Sequence, residues 1–453
     1  MDTLLDPDSD HAALAAELSA AGVEFALGAW VDVTGRPKSK LVPIAGLPGM
    51  LAGSERYTPR GIGDLGRMNP SEDECVAVPD VSTMRVLPWE PRVAFFNADL
   101  IYGGREPFSC CPRSILKSVL DRAADLGYRV NLGVETEFYV YRKDALPDLV
   151  PLAASSRLYP TPAYDVQAAL DSLDFLSEVV GHMETAGMGL FSLDHEGGEG
   201  QYELDFAHAD ALAMCDRLTF LRLLLRQVAD KAGAVVTFMP KPDAAAWGSG
   251  AHMNMSIESL ETGENLFVAG RGDERAWQPL ARHFVAGLLE HAPALAALTC
   301  PTVNSYKRLV PKLVDGSVSW APVWAAYGMN NRSCMLRLPD NRPAVENRTV
   351  DMTANMYLAT AFSVAAGLEG IEKELDPGDP VRDDTSGWQR TGDSRAVPRT
   401  LLEAVDAFAV DPLVAATLPA DFVESYVDMK RREWDSYHNV VTPWELDRYL
   451  LDI

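Results

Sequence analysis

Four short stretches of this chain alternate between apolar residues and residues with ion-binding side chains, a period of two that becomes one chemical face only on an extended strand. In 130–140 the even positions Val130, Leu132, Val134, Thr136, Phe138 and Val140 share one side, and Glu135 and Glu137 share the other. Residues 200–206 set Gln201, Glu203 and Asp205 against Tyr202, Leu204 and Phe206, with Glu196 just upstream in His195-Glu196-Gly197-Gly198-Glu199-Gly200. In 251–257, His252, Asn254 and Ser256 alternate with apolar neighbours, and in 344–349 Glu346 and Arg348 share a face. One such strand is ordinarily a sheet with one solvated side. Four of them in a single sheet bring a histidine, an arginine and several carboxylates together. A glutamate-rich set with one histidine is poor for zinc, which favours Cys and His, and suits hard ions such as Mg²⁺ or Mn²⁺. Those ions bridge nucleotide oxygens and neutralise the charge of phosphoryl transfer.

Arginines extend the same chemistry. Asn331-Arg332-Ser333-Cys334-Met335-Leu336-Arg337-Leu338-Pro339 places two of them five apart beside an apolar run, and Asn304-Ser305-Tyr306-Lys307-Arg308 adds a third. Guanidinium forks match phosphate and carboxylate oxygens, although each taken alone is more often a surface residue. The sequence has neither a GxxxxGK[ST] loop nor a GxGxxG after a strand, so a nucleotide is held some other way.

A length of 453 residues predicts two domains. Residues 1–105 read as a small β-rich unit, with apolar runs at 25–33 and 40–44 split by the turn Thr34-Gly35-Arg36-Pro37. From Pro112 the pattern becomes an amphipathic helix at 114–126 and an alternating strand at 128–141, which puts the domain boundary near 105. The Pro-, Gly- and Asp-rich stretch 375–399 predicts a long surface loop, followed by closing helices. A net charge of −25 argues against nucleic acid and anionic membranes as partners. No apolar stretch approaches the length of a membrane span and no basic-then-apolar leader opens the sequence, so a cytoplasmic enzyme is expected. Six cysteines without CxxC spacing predict reduced thiols outside the chemistry.

In family order, the chain resembles the glutamine synthetase family over essentially its whole length. The passages are Gly133-Val134-Glu135-Thr136-Glu137-Phe138; His195-Glu196 through Gly200-Gln201-Tyr202-Glu203; and Thr237-Phe238-Met239-Pro240-Lys241-Pro242 followed by Gly248-Ser249-Gly250-Ala251-His252. They continue with Asn304 to Pro311, Asn331-Arg332 with Arg337-Leu338-Pro339, and Glu346-Asn347-Arg348 with Asp351 and Ala354-Asn355. The resemblance implies an α+β fold: a small N-terminal β-grasp domain (1–105) and a large catalytic domain (106–453) with a curved antiparallel sheet flanked by helices. It also implies a homo-oligomer, a dodecamer of two hexameric rings with active sites shared between neighbours.

By position, the resemblance assigns Glu137, Glu196 and Glu203 to one Mg²⁺ or Mn²⁺ ion and Glu135, His252 and Glu346 to another. Arg332 and Arg337 would meet the phosphates of ATP, with Asn254 and Ser256 at the nucleotide end. Arg308 and Arg348 would meet the carboxylates of glutamate, and Gly248 with Trp247 its amino-acid end. The implied reaction first forms γ-glutamyl phosphate from glutamate and ATP; an amine then displaces phosphate. Asp64, in Gly61-Ile62-Gly63-Asp64-Leu65-Gly66, is the candidate for an aspartate lent by the neighbouring subunit to deprotonate the amine.

Four departures from ammonia-using members stand out. Trp247 replaces an asparagine before Gly-Ser-Gly, Asn254 replaces a second histidine, and Ala344 removes an arginine from Arg-x-Glu-x-Arg unless Arg342 substitutes. Trp320-Ala321-Pro322 replaces the acidic Glu-Ala-Pro turn, as in the γ-glutamylmethylamide synthetase branch that the chain most resembles. Exchanging a carboxylate for an indole disfavours a small hydrated ammonium and favours a cation carrying an alkyl group. Methylamine or ethylamine is therefore the expected acceptor, with ammonia or a polyamine as alternatives and a non-catalytic regulatory protein as the outlying one. Ser386-Gly387-Trp388 stands where the family's adenylylated tyrosine would be, so that regulation is not expected.

Overall fold

The computed structural model describes residues 7–103, 106–153, 155, 162–270, 276–314, 316–388 and 396–451. All four alternating stretches are strands of one nine-stranded sheet. Its order is Leu190–His195, Gln201–Phe206, Tyr128–Arg142, Ala251–Ser259, Val345–Asn347, Leu336–Leu338 and Tyr327–Met329. Ala209–Asp210 and Ala234–Thr237 pair with the two ends of the long Tyr128–Arg142 strand. Pairing is antiparallel throughout except between Tyr327–Met329 and Leu336–Leu338, which run parallel; the chain turns back between them through Asn330 at φ 52°.

The period-two pattern separates as the sequence requires. Val130, Leu132, Val134, Phe138 and Val140 are buried in the main apolar cluster, beneath helices that close the back of the sheet. Two of those helices start at strong caps: Asp210 accepts from the Leu212 amide at 3.0 Å to open Ala211–Lys231, and Asn355 accepts from the Tyr357 amide at 3.1 Å to open Met356–Glu372. Met356–Glu372 is buried on nearly every side, as expected of a helix apolar all round, and packs against Pro112–Asp125 and Pro279–Glu290. The predicted helix at 114–126 and strand at 128–141 are observed as Pro112–Asp125 and Tyr128–Arg142.

The N-terminal strands form a second sheet, in which Phe25–Val31 lies parallel to Glu90–Tyr102 and antiparallel to Leu41–Pro43. The strand beginning at Phe25 stops at Val31 because the Asp32 carboxylate accepts from the Thr34 and Arg36 amides, both at 2.9 Å, and folds the hairpin tip. Asn355 donates to the Asp32 carbonyl at 2.9 Å, fastening that tip to the large sheet's helices. Glu106–Pro107 also pairs with Glu90–Tyr102, so this sheet takes in chain on both sides of 104–105; the boundary expected near 105 falls there, outside the described residues. The helix Pro7–Ala20 is an element that the sequence reading did not anticipate. Within 375–399, the chain is irregular up to a short turn at Thr385–Gly387, and 389–395 lie outside the described residues. All six cysteines are buried and free, and no described helix is long and apolar enough to cross a membrane.

One buried ion cluster joins the two sheets. Arg113, on Pro112–Asp125, reaches Asp80 at 2.8 Å and Asp99 at 3.0 Å on the small-sheet side, and Asp216 on Ala211–Lys231 at 3.1 Å. Removing the guanidinium would strand three carboxylates around a nearly dry position. Arg113→Met is therefore expected to cost on the order of 3–5 kcal/mol, seen as a markedly lower urea midpoint; a midpoint within experimental error of wild type would show that the cluster does not tie the sheets together.

Candidate active site

Sheet register places the chemistry. Glu203 lies opposite Glu137, His252 opposite Glu135, Asn254 opposite Glu346, and Arg337 opposite Glu346 on the far side. Side chains facing one another across strands stand within about 5.5 Å at Cβ, so the register alone gathers these groups into a row. They line a cavity of about 1040 Å³ over the polar face. Every candidate named from the sequence reaches this cavity except Glu346, which is fully buried just beneath it, and Asp64.

Glu137 is fixed by two donors, the Gly250 amide at 2.9 Å and Gln201 Nε2 at 3.1 Å, both to Oε2. Its other oxygen lies 3.8 Å from His252 Nε2. Gly250 has no room for a side chain: a Cβ there would come within 2.5 Å of an Arg308 nitrogen and 2.9 Å of His252 Nε2. The His252 Nδ1 meets Glu135 at 2.7 Å and lies 3.8 Å from Glu346. Among the described residues three compact groups have ligand atoms in range of a single ion, Glu137–Glu203–His252, Glu135–His252–Glu346 and Asp194–Glu203–Asp205. Glu196 lines the same cavity outside those groups, with its carboxylate accepting from the Gly197 amide at 3.1 Å.

The carboxylates of the cavity differ electrostatically. Burial, and then the charge of Glu137, pushes Glu196 up to about 7. Glu203 is raised well above the ordinary carboxylate range, first by burial and then by Glu137, Glu135 and Asp205. Asp205 is pushed up to about 6 by burial and by Glu135 and Asp194. Carboxylates this crowded need a cation or protons, and the all-oxygen donor set with one imidazole fits a hard divalent ion. Burial also works against ionisation at Glu135, but His252, Arg342 and Arg348 outweigh it and hold that carboxyl at about 2.

Arg308 is buried, with its guanidinium donating to the Thr349 and Arg348 carbonyls at 2.8 and 3.0 Å. Arg337 donates to Asn330 and Glu346, and Arg348 to Glu346 at 2.6 Å. Arg332 faces the cavity, and its side chain forms no ion pair among the described residues. Trp247 is held through its carbonyl, which accepts from the Tyr139 hydroxyl at 2.6 Å, and its ring lies against Gly197. Trp320 sits at φ 58°, a left-handed backbone that costs a bulky residue strain, with its side chain half exposed at the cavity. Asp64 also adopts a left-handed turn, at φ 51°, but outside the cavity of its own chain.

Some residues at the cavity or beside its carboxylates escaped the sequence reading. Asp194 is the cross-strand neighbour of Glu203, which only register reveals; Asp205 was visible as part of the polar face of its strand. Tyr164, at φ 61°, and Phe191 bring exposed aromatic rings to the cavity from outside the family-like motifs.

Comparison with known proteins supplies the class. The family model described as glutamine synthetase, catalytic domain, matches residues 109–449. Glutamate–methylamine ligase of Methyloversatilis universalis is 35% identical over 94% of this chain and 96% of its own. Glutamine synthetase of Rhizobium meliloti is 33% identical, also over 94% and 96%. Two solved structures, a GmaS/ADP complex and apo GmaS without ligand, superpose with TM-scores of 0.88 and 0.87 at 36% and 35% identity, each over 96% of this chain and 99% of theirs. The chain belongs to the glutamine synthetase family. Within it, the protein is an ATP-dependent carbon–nitrogen ligase, which removes the non-catalytic alternative and agrees with the α+β architecture expected from sequence.

Glu137 is held by the Gly250 amide and Gln201, with its other oxygen turned toward His252. Glu137→Ala is expected to lower ATP-dependent amide formation about 100-fold without unfolding the chain, measured as product release and by circular dichroism; near-normal turnover would take Glu137 out of the chemistry.

Proposed function

We propose that this enzyme joins the side-chain carboxylate of glutamate to a small alkylamine, methylamine or ethylamine, at the expense of ATP. The observation that carries the reading is Trp320. Its indole stands at the cavity in a turn that holds no acid, sharing the cavity with Trp247, Tyr164 and Phe191 and with the uncompensated Glu196 and Glu203. Aromatic faces and carboxylates together suit a cation bearing an alkyl group. The similarity to a glutamate–methylamine ligase supports the same acceptor.

In this reading Glu137, Glu196 and Glu203 hold one divalent ion, Mg²⁺ or Mn²⁺, and Glu135, His252 and Glu346 hold a second. Such ions neutralise phosphate charge during transfer. Arg332 and Arg337 face the phosphates of ATP, with Asn254 and Ser256 on the same strand face at the nucleotide end. Arg308, Arg348, Trp247 and the Gly248 backbone position glutamate. A γ-carboxylate oxygen attacks the terminal phosphorus, the bond to the β-phosphate oxygen breaks, and ADP leaves. The amine nitrogen then attacks the acyl carbon of γ-glutamyl phosphate, phosphate departs, and the nitrogen's proton passes to a carboxylate. Asp64 of a neighbouring subunit is the proposed acceptor, which suits its place outside its own chain's cavity.

That assignment requires a homo-oligomer, and we propose two stacked rings of six, each chain built of a small N-terminal and a large catalytic domain. The support is an uncovered apolar surface: helix Pro443–Tyr449 buries no residue, and Val440, Val441, Trp444, Leu446 and Leu450 are all exposed. Light scattering should give a large oligomer at micromolar concentration; a monomer would remove both the rings and the Asp64 role.

Turnover of ATP and glutamate with a panel of amines tests the acceptor. Methylamine or ethylamine should be preferred over ammonia, and Trp320→Glu should reduce that preference about tenfold, the scale of one desolvated cation–π contact. Strong preference for ammonia in the wild type would overturn the alkylamine reading.

A further inference from the structure

The two carboxylate sets are neutralised in opposite ways. Among the described residues, no arginine or lysine forms an ion pair with Glu137, Glu196, Glu203, Asp194 or Asp205; the ion-pair contact there is between His252 and Glu137. Around Glu135 and Glu346 three guanidiniums converge. Arg337 Nη1 reaches Glu346 Oε2 at 2.9 Å, and Arg348 Nη1 reaches Glu346 Oε1 at 2.6 Å. Arg342 is the one that spans the pair, with Nη2 at 2.6 Å from Glu135 Oε1 and 2.9 Å from Glu346 Oε2. Its Nε donates to Asn254 Oδ1 at 2.8 Å.

The three arginines are not equally committed. The Arg337 and Arg348 side chains are 8% exposed, one within and one just after a strand of the sheet. Arg342 sits in the irregular link between Leu336–Leu338 and Val345–Asn347, its side chain 32% exposed at the cavity wall. Its guanidinium therefore has open space on one side and two buried carboxylates on the other. His252 Nδ1 faces the other oxygens of the same two carboxylates, 2.7 Å from Glu135 Oε2 and 3.8 Å from Glu346 Oε1, so a cation shared by the three residues would draw on charge that Arg342 already neutralises. A guanidinium and a divalent ion compete for the negative charge of the same carboxylates.

We propose that Arg342 is a built-in counter-ion of the Glu135–His252–Glu346 set: it bridges the two carboxylates when that set holds no divalent ion and is expelled into the cavity as an ion binds. The inference rests on the metal reading above and adds to it that the Glu135–His252–Glu346 set is loaded at the expense of an ion pair within the chain. Arg337 and Arg348 remain in place through the exchange. Asn254 takes part because its carbonyl oxygen receives Nε and its amide donates to Glu135 Oε1 at 3.2 Å, so it holds the arm against the carboxylate. Once expelled, the guanidinium stays at the wall of the cavity that Arg332 also lines, as a cation for nucleotide phosphates.

The test is Mn²⁺ binding to the nucleotide-free protein, followed by the electron paramagnetic resonance of free Mn²⁺ and by the thermal midpoint. Wild type should show two classes of site. In Arg342→Gln the weaker class should tighten about tenfold or more, the equivalent of one charged hydrogen bond, while the tighter class is unchanged. The metal-free midpoint of the variant should fall, and Mn²⁺ should raise it further than it raises that of wild type. Arg342→Lys, which cannot bridge both carboxylates and reach Asn254 together, should lie between the two. Superimposable isotherms and equal midpoint gains for wild type and Arg342→Gln would overturn the proposal. A wild type that binds no Mn²⁺ would remove the metal reading beneath it, a result distinguishable because it leaves no second class to compare.

Discussion

The site is organised by repulsion that strand pairing enforces. Carboxylates crowd onto one face of one sheet because backbone hydrogen bonds fix which residues stand opposite, and side chains in a paired strand cannot rotate away to the other face. Glu137 opposite Glu203, with Asp194 beyond, is an arrangement that a free chain would avoid. It is tolerated here because the opposite face of the same strands is buried deep in the apolar core, so slipping by one residue would expose Leu132, Val134 and Phe138 to water. Hydrophobic burial on one side thus holds unfavourable electrostatics in place on the other.

That stored repulsion has two resolutions within a few ångströms. Around Glu135 and Glu346 the chain supplies its own cations, and Glu135 stays ionised far below the usual range. Around Glu196, Glu203 and Asp205 it supplies none among the described residues, and burial with mutual repulsion raises the affinity of those groups for protons. A face that is half neutralised and half not is suited to binding cations from solution on one side while the arginines on the other hold anions. Tyr164, Phe191, Trp247 and Trp320 line the same cavity.

Much of this was legible in the sequence, for a physical reason. Residue alternation is the direct signature of strand geometry, so the faces of 130–140, 200–206 and 251–257 could be assigned by counting, and Glu135, Glu137, Glu203 and His252 with them. Motifs with glycines at close contacts were equally readable, because Gly250 leaves no space for any other residue. Other features had no local signal. The helix Pro7–Ala20 carries almost no amphipathic pattern, and Tyr164 and Phe191 lie outside any motif.

By itself the sequence determined the class of chemistry: which side chains were available, and which of them had to share a face, since both follow from residue type and a two-residue period. Only the tertiary structure decided which faces met. Pairing of Glu203 with Glu137, of His252 with Glu135 and of Asn254 with Glu346 joins residues 66, 117 and 92 positions apart, and the link bearing Arg342 closes over a strand more than 200 residues away. Register between distant strands is set by the packing of the whole core, which no local pattern encodes. That is why the sequence placed the carboxylates on a common face, and why the occupation of one pair of them by Arg342 became visible only in three dimensions.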